Sequence, residues 1–145
     1  MTVYVKHFTE LELQELYEIL SLRNGVFVVE QNCPYQDIDG RDEGAYHVYL
    51  KDENGIRAYL RVLPHGTQEA AIGRVIAVER RKGLATKALE VGIRTAKERF
   101  AARSIYLEAQ TYARSLYEKQ GFVQCGEEFL EDGIPHIPMR LCCDY

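Results

Sequence analysis

No apolar run in this 145-residue chain approaches the ~20 residues that span a bilayer. The opening stretch, MTVYVKHFTE, lacks the basic-then-apolar layout of a secretory signal. The expected location is therefore cytoplasmic, with no membrane partner. Excess positive charge is missing too: 18 Lys and Arg face 22 Asp and Glu, a formal net charge of −4. Broad nucleic-acid binding needs a basic face that displaces counterions, so nucleic acid is not an expected partner. Cys33, Cys125, Cys142 and Cys143 form no CxxC, and His7, His47, His65 and His136 form no HExxH. Reduced, structural thiols are expected, and no metal site. The chain also lacks repeats, low-complexity tracts and the two familiar phosphate loops, GxxxxGK[ST] and GxGxxG.

What is present is an ordinary globular composition, 46% hydrophobic and 28% charged. The length suits one domain over residues 1–145, able to bury roughly two thirds of its unfolded surface. TVYVKH alternates like a short strand. Thr9 stands three residues before Glu12 as a capping box, and Leu13, Leu16, Tyr17 and Leu20 then share one helical face. Asn24-Gly25 predicts the end of that helix, with a short apolar segment, VFVVEQ, before Pro34. YHVYLKD and IRAYLRVL flank Glu53-Asn54-Gly55, which predicts a hairpin. AAIGRVIAV is apolar on both faces, as a doubly covered central strand should be. After Gly83, the small residues Ala85, Ala88, Gly92 and Ala96 predict a helix lying close against the sheet. SIYLEAQ reads as a strand and YARSLYEKQ as a helix stopped by Gly121. FVQCGEE and IPMRLCC are final strands around the turn-rich LEDGIPH. The fold class is α/β: a mixed, mostly antiparallel sheet of about seven strands with a central parallel pair, flanked by about four helices. Exposed edge strands leave monomer and homodimer both open.

Against the acidic background, VERRKGLATKALEVG (78–92) crowds Arg80, Arg81 and Lys82 against Gly83, where strand gives way to helix. One reading is a solvated turn with a helix cap. The other is an anion site, because a helix start has unpaired N–H groups and about half a positive charge. Glycine lets a ligand approach that backbone closely.

The hexapeptide R-x-x-G-x-A, Arg80 to Ala85, resembles the coenzyme A loop of the GNAT superfamily of acyl-CoA-dependent N-acyltransferases. LYEKQGF (116–122) is similar to that family's Y-x-x-x-G-F helix end. LRNGVFVVEQNCPYQDIDGRD (22–42), IGRV (72–75), Ala109-Gln110 and EDGIPHI (131–137) are similar to its ElaA-type members. The resemblance spans the chain and implies the GNAT fold. It also implies acetyl transfer from acetyl-CoA, as co-substrate, by direct attack of a primary amine of a small molecule or peptide. A non-catalytic acyl-CoA sensor or scaffold of the same fold is the alternative. Two departures stand out. Only six residues separate Gly73 from Arg80, so a tight corner is expected, and Pro138 replaces the group's usual glycine.

By the same resemblance, Arg80, Arg81, Lys82 and Gly83 hold the coenzyme diphosphate together with Leu84, Ala85 and Thr86. Val75, Ile76, Ala77 and Val78 would pair with the pantetheine arm and offer a backbone N–H to the carbonyl oxygen, with Gln110 on the facing strand. Tyr117, in the family's tyrosine position, would protonate the departing thiolate; a phenol with a pKa of ~10 is protonated at neutral pH. The base stays open among Glu30, Glu108, His136 and ordered water. The plainer roles are a salt bridge from Glu30 to Arg23, a solvated Glu108 and a loop hydrogen bond for His136. Arg23, Glu30, Gln31, Tyr35 and His47 are the expected acceptor contacts. Asp37, Asp39, Asp42 and Glu43 either attract a cationic amine or form a wet loop.

Overall fold

The computed structural model describes residues 1–80 and 82–143. The elements run β1 (Thr2–His7), α1 (Leu13–Arg23), β2 (Tyr46–Asp52), β3 (Gly55–His65), β4 (Glu69–Ala77) and α2 (Leu84–Phe100). They continue with β5 (Ser104–Gln110), α3 (Arg114–Glu118), β6 (Val123–Gln124), β7 (Phe129–Glu131) and β8 (Ile134–Cys142). All eight strands form one sheet, ordered β1-β2-β3-β4-β5-β8-β6, with β7 also on β8. Among the described residues only β4 and β5 are parallel. The strand beyond the expected seven comes from LEDGIPH. Asp132 and Gly133 both take left-handed backbone, φ 53° and 76°, and close a two-residue hairpin between β7 and β8.

Two layers cover the sheet. On one face α2 packs Ala88, Leu89, Val91 and Ala96 against Val48, Leu60, Ile72, Ile105 and Leu107. The expected close approach occurs at Gly92, where a Cβ would stand 2.9 Å from Leu60 Cδ1. On the other face α1 covers Tyr49, Ile56, Tyr59 and Ile76 with Ile19 and Leu22.

Helix α1 differs from the expected helix in three ways. Its capping box is Glu12 with Glu15, three residues later than Thr9 with Glu12. Leu13 and Tyr17 are 88% and 78% exposed, so the expected apolar face is not the docking face. The helix docks through polar groups as well: Glu15 accepts from the Tyr49 hydroxyl (2.5 Å), and Glu18 accepts from the Ile56 amide (3.0 Å). Hydrophobic spacing alone misses such a face. Finally, the helix does not stop at Asn24-Gly25. Asn24 is right-handed (φ −61°), and Asn24–Glu30 continues as a wide π-helical segment, with Gln31 N–H bonded to Val26 O and Cys33 N–H to Val28 O. Val26 and Phe27 thereby reach the second core cluster.

Strand β4 carries a bulge. Tyr59 pairs with Ile76 and Arg61 with Gly73, so Leu60 faces an extra residue on β4. Arg74 lies in that interval with φ 54°, left-handed for a side chain that rarely adopts it. The bulge reverses the alternation: Ile72 and Val75 pack toward α2, and Ile76 toward α1.

The acidic run after Pro34 folds beneath α1 as a closed circuit of ion pairs. Arg23 binds Asp37 (2.8 Å) and Asp42 (2.6 Å), and Arg61 binds Asp42 (2.9 Å) and Asp39 (2.5 Å). Arg74 completes it, at 2.7 Å from Asp37 and 3.5 Å from Asp39. Asp37, Asp39 and Asp42 are thus committed to ion pairs rather than free for an amine, while Glu43 lies outside the circuit and is exposed. His47 lies under the circuit, between the Tyr59 hydroxyl (2.7 Å) and Asp42 O (3.1 Å).

Removing one charge strands its partners in a buried site, at a cost of about 3–5 kcal/mol. Asp42→Asn should therefore lower the urea midpoint markedly. Burial raises the Asp42 carboxyl, but the adjacent Arg23 and Arg61 outweigh it and hold it below the usual range; Asp39 is lowered in the same way by Arg61 and Arg74. Carboxyls with depressed folded values contribute stability above their ordinary pKa, about 4, and lose it as pH falls further. Thermal unfolding should show an acid limb beginning near there, weaker in Asp42→Asn.

Candidate active site

The parallel ladder between β4 and β5 is short: Glu69–Ser104, Ala70–Ile105 and Ala71–Tyr106. Beyond it β4 stays with β3 as far as Ala77, and β5 stays with β8 as far as Gln110. The facing backbone edges of Ile72–Ala77 and Leu107–Gln110 therefore have no strand between them, and a V-shaped cleft opens. Its narrow end is clasped. Glu69 accepts from the Ser104 hydroxyl (2.7 Å) and Arg140 Nε (2.8 Å), while Arg140 and His65 both stack on Tyr106.

At the wide end the strand turns the expected tight corner. Val78 N–H reaches Arg57 O (3.0 Å), and Arg57 pairs with Glu79 (2.6 Å). Gly83 is the N-cap of α2 with φ 70° and no side-chain cap. The amides of Leu84, Ala85 and Thr86 stand in the first turn of the helix, where no intrahelical partner is available, as an anion site requires. Arg80 and Lys82 are exposed beside it, Arg80 over the Tyr112 ring at 5.5 Å. Arg81, expected in the same loop, lies outside the described residues.

Helix α3 presents Tyr117. Its ring is buried and meets Phe122 edge-on at 6.1 Å. Gly121, φ 99°, closes the helix as its sequence signal predicts. Burial, then the nearby Tyr112, pushes the Tyr117 phenol well above its ordinary value, so it stays protonated at neutral pH.

The other candidates gather where the π-helical segment faces β5 and the β7–β8 hairpin. Gln110 Nε2 is 3.5 Å from Gln31 Oε1 across the gap, and the Cys33 thiol donates to Asp132 O at 3.4 Å. Glu108 is exposed and accepts from the Tyr106 hydroxyl at 2.9 Å. His136 is buried opposite Gln110; its Nδ1 is 2.7 Å from Ile134 O and its Nε2 is 3.8 Å from Glu131. Glu30 is exposed at the end of the π-helical segment; it is not the partner of Arg23, which binds Asp37 and Asp42. Arg23 and His47, expected to touch an acceptor, have no exposed surface and belong to the ion-pair circuit. Tyr35 is exposed in a shallow groove with Leu20, Pro34 and Ile38 rather than beside Gln110.

Two residues escaped the sequence reading. Arg74 was visible only as a guanidinium inside an otherwise apolar strand, which signals a partner or a bulge. Glu131 sits in a turn-rich stretch that points to no chemistry. Burial, then the negative charge of Glu108, raises its carboxyl.

Pro138 fits the sheet without cost to β5. Its carbonyl accepts from Cys125 N–H on the β6 side, so its missing donor faces that same outer edge, where the chain breaks between β6 and β7. Its ring lies where a Cβ on Gly126 would be 2.8 Å away.

Residues 22–143 match the model of the acetyltransferase (GNAT) domain. The chain belongs to the GNAT acetyltransferase family. It is 40% identical over 143 residues to protein ElaA of Escherichia coli, covering 92% of this chain and 91% of that protein. The crystal structure of E. coli ElaA superposes with a TM-score of 0.91 at 36% identity, over 97% of this chain and 99% of that one. An acyl-CoA N-acyltransferase from Pseudomonas aeruginosa gives 0.89 at 39%, with the same coverage. The GNAT fold read from the sequence is thus the observed one.

A GNAT loop that depends on Gly83 should respond to backbone conformation rather than to room, since a Cβ there meets nothing within 4 Å. Gly83→Val should destabilise the protein by about 1–2 kcal/mol, and Gly83→Asn by less, as left-handed backbone suits asparagine. Urea midpoints of the two variants provide the comparison.

Proposed function

We propose that this GNAT domain transfers the acetyl group of acetyl-CoA directly to a primary amine of a small molecule or peptide. The observation that carries the reading is the parting of β4 from β5 after Ala71, leading straight to an uncapped helix start at Gly83. The β4 edge from Val75 to Ala77 suits an extended amide-bearing arm, whereas Val78, expected to share it, gives its N–H to Arg57 O; the Leu84–Thr86 amides with Arg80 and Lys82 suit a diphosphate. This arrangement favours an anion site over a plain solvated turn.

The chemistry follows from the residues at the two ends. A backbone N–H on β4 would stabilise the carbonyl oxygen as it gains charge. Tyr117, kept protonated by burial, would give its proton to the thiolate as the C–S bond breaks. Of the candidate bases, His136 has the best-defined geometry. The Ile134 carbonyl can only accept, so the proton of neutral His136 sits on Nδ1, and Nε2 faces the Glu131 carboxylate at 3.8 Å. Gln31 and Gln110 would meet the incoming amine, with Glu108 and Glu131 favouring its cationic form before it loses a proton.

Coenzyme A release, followed with a thiol reagent across an amine panel, tests the reading. Tight acetyl-CoA binding without turnover on any amine would make the domain a sensor instead. Tyr117→Phe should slow transfer by roughly 10²-fold with acetyl-CoA binding retained; an unchanged rate removes the phenol from the mechanism. His136→Gln should depress the rate at neutral pH and leave it climbing toward the amine's own titration near 10. A profile identical to the parent's returns the proton to Glu108 or water.

A further inference from the structure

Arg74 occupies a place that nothing in the proposed chemistry explains. It is the residue of the β4 bulge, in left-handed backbone, three residues past Ala71, where the pairing of β4 with β5 ends. Asp37 grips it twice, through Oδ1 to Nε at 2.7 Å and through its main-chain carbonyl to Nη2 at 3.0 Å. The guanidinium also lies over the Phe27 ring, 6.0 Å from its centre. Asp37 is held from its other side by Arg23, through Oδ2 at 2.8 Å and the same carbonyl at 3.1 Å. Its side chain is 6% exposed, so the anchor is buried and fixed by two guanidiniums.

We infer that Arg74 is a positioning residue for the thioester: the Asp37 grip stabilises its left-handed backbone, and that backbone sets where β4 departs from β5. The inference rests on the acetyltransferase reading of the cleft. The physical argument is local. A non-glycine residue resists positive φ, and without the bulge β4 would keep its regular alternation and could continue its ladder with β5 past Ala71. A doubly bound guanidinium opposes that relaxation. The same anchor ties the β4 edge to the segment that carries Gln31, so the thioester side and the amine side are fixed relative to each other.

The distinguishing experiment compares Arg74→Ala with Arg74→Gly. Both lose the grip, but glycine enters left-handed backbone freely. Calorimetry with acetyl-CoA, together with kcat and KM on an accepted amine, should rank the parent above Gly and Gly above Ala. Ala should lose roughly 10²-fold in kcat/KM, while circular dichroism below the unfolding transition stays unchanged. Arg74→Lys, which keeps the charge but cannot make the fork-like pair of contacts, should fall between the parent and Ala, and it serves in place of Ala if Ala does not fold. Parent-like binding and turnover in Ala would overturn the inference, as would Gly performing no better than Ala. If the parent itself neither binds acetyl-CoA nor acetylates any amine, the acetyltransferase reading falls first, and this outcome is distinct from the others.

Discussion

Three arginines and three aspartates, joined in a ring beneath α1, are the constraint on which the rest of the site depends. The circuit is neutral, and each member touches two of opposite sign. A buried ionic network of this kind adds little net stability over an apolar packing of similar volume. Its contribution is geometric. It joins α1 through Arg23, β3 through Arg61 and β4 through Arg74 to one loop, whose carboxylates allow few other arrangements. The Arg61 Nε, buried and without a hydrogen-bond partner among the described residues, indicates how tightly the remaining donors are committed.

The sheet itself is two wings meeting at a seam. β1 to β4, with α1 beneath, form one; β5 to β8, with α3, form the other. The seam is only three pairs long, and Glu69 reinforces it with bonds to Ser104 and Arg140. The cleft is thus a consequence of where pairing stops and needs no separate excavation. On the amine side, Gln31 to Gln110 and Cys33 to Asp132 cross between the wings again. The opening is bounded at both ends.

Much of this was legible in the residues because the signals are local. Asn54-Gly55 made its hairpin, Gly121 ended its helix, and the small-residue side of α2 met the sheet at Gly92. Gly83 marked the start of α2, and the family motifs fixed the fold. Where the sequence misled, the cause was contact between distant segments. Arg23 and His47 look like ordinary polar residues near an acidic loop, and only the folded chain buries them with Asp42. The continuation through Asn24-Gly25 overrode a strong stop signal because Val26 and Phe27 gain a core cluster. A pairing of Arg74 with Asp37, 37 residues away, leaves no trace in periodicity.

The reversed alternation in β4 has a consequence for how this strand can vary. Every side chain after Arg74 is assigned to its layer by that single extra residue. Deletion of one residue there would swap the sides of Val75 and Ile76, sending a core isoleucine into the wrong layer. Removal of two would preserve sidedness but shorten the reach to the Gly83 corner. Length in this strand is therefore counted by parity, and only even changes keep both hydrophobic layers intact.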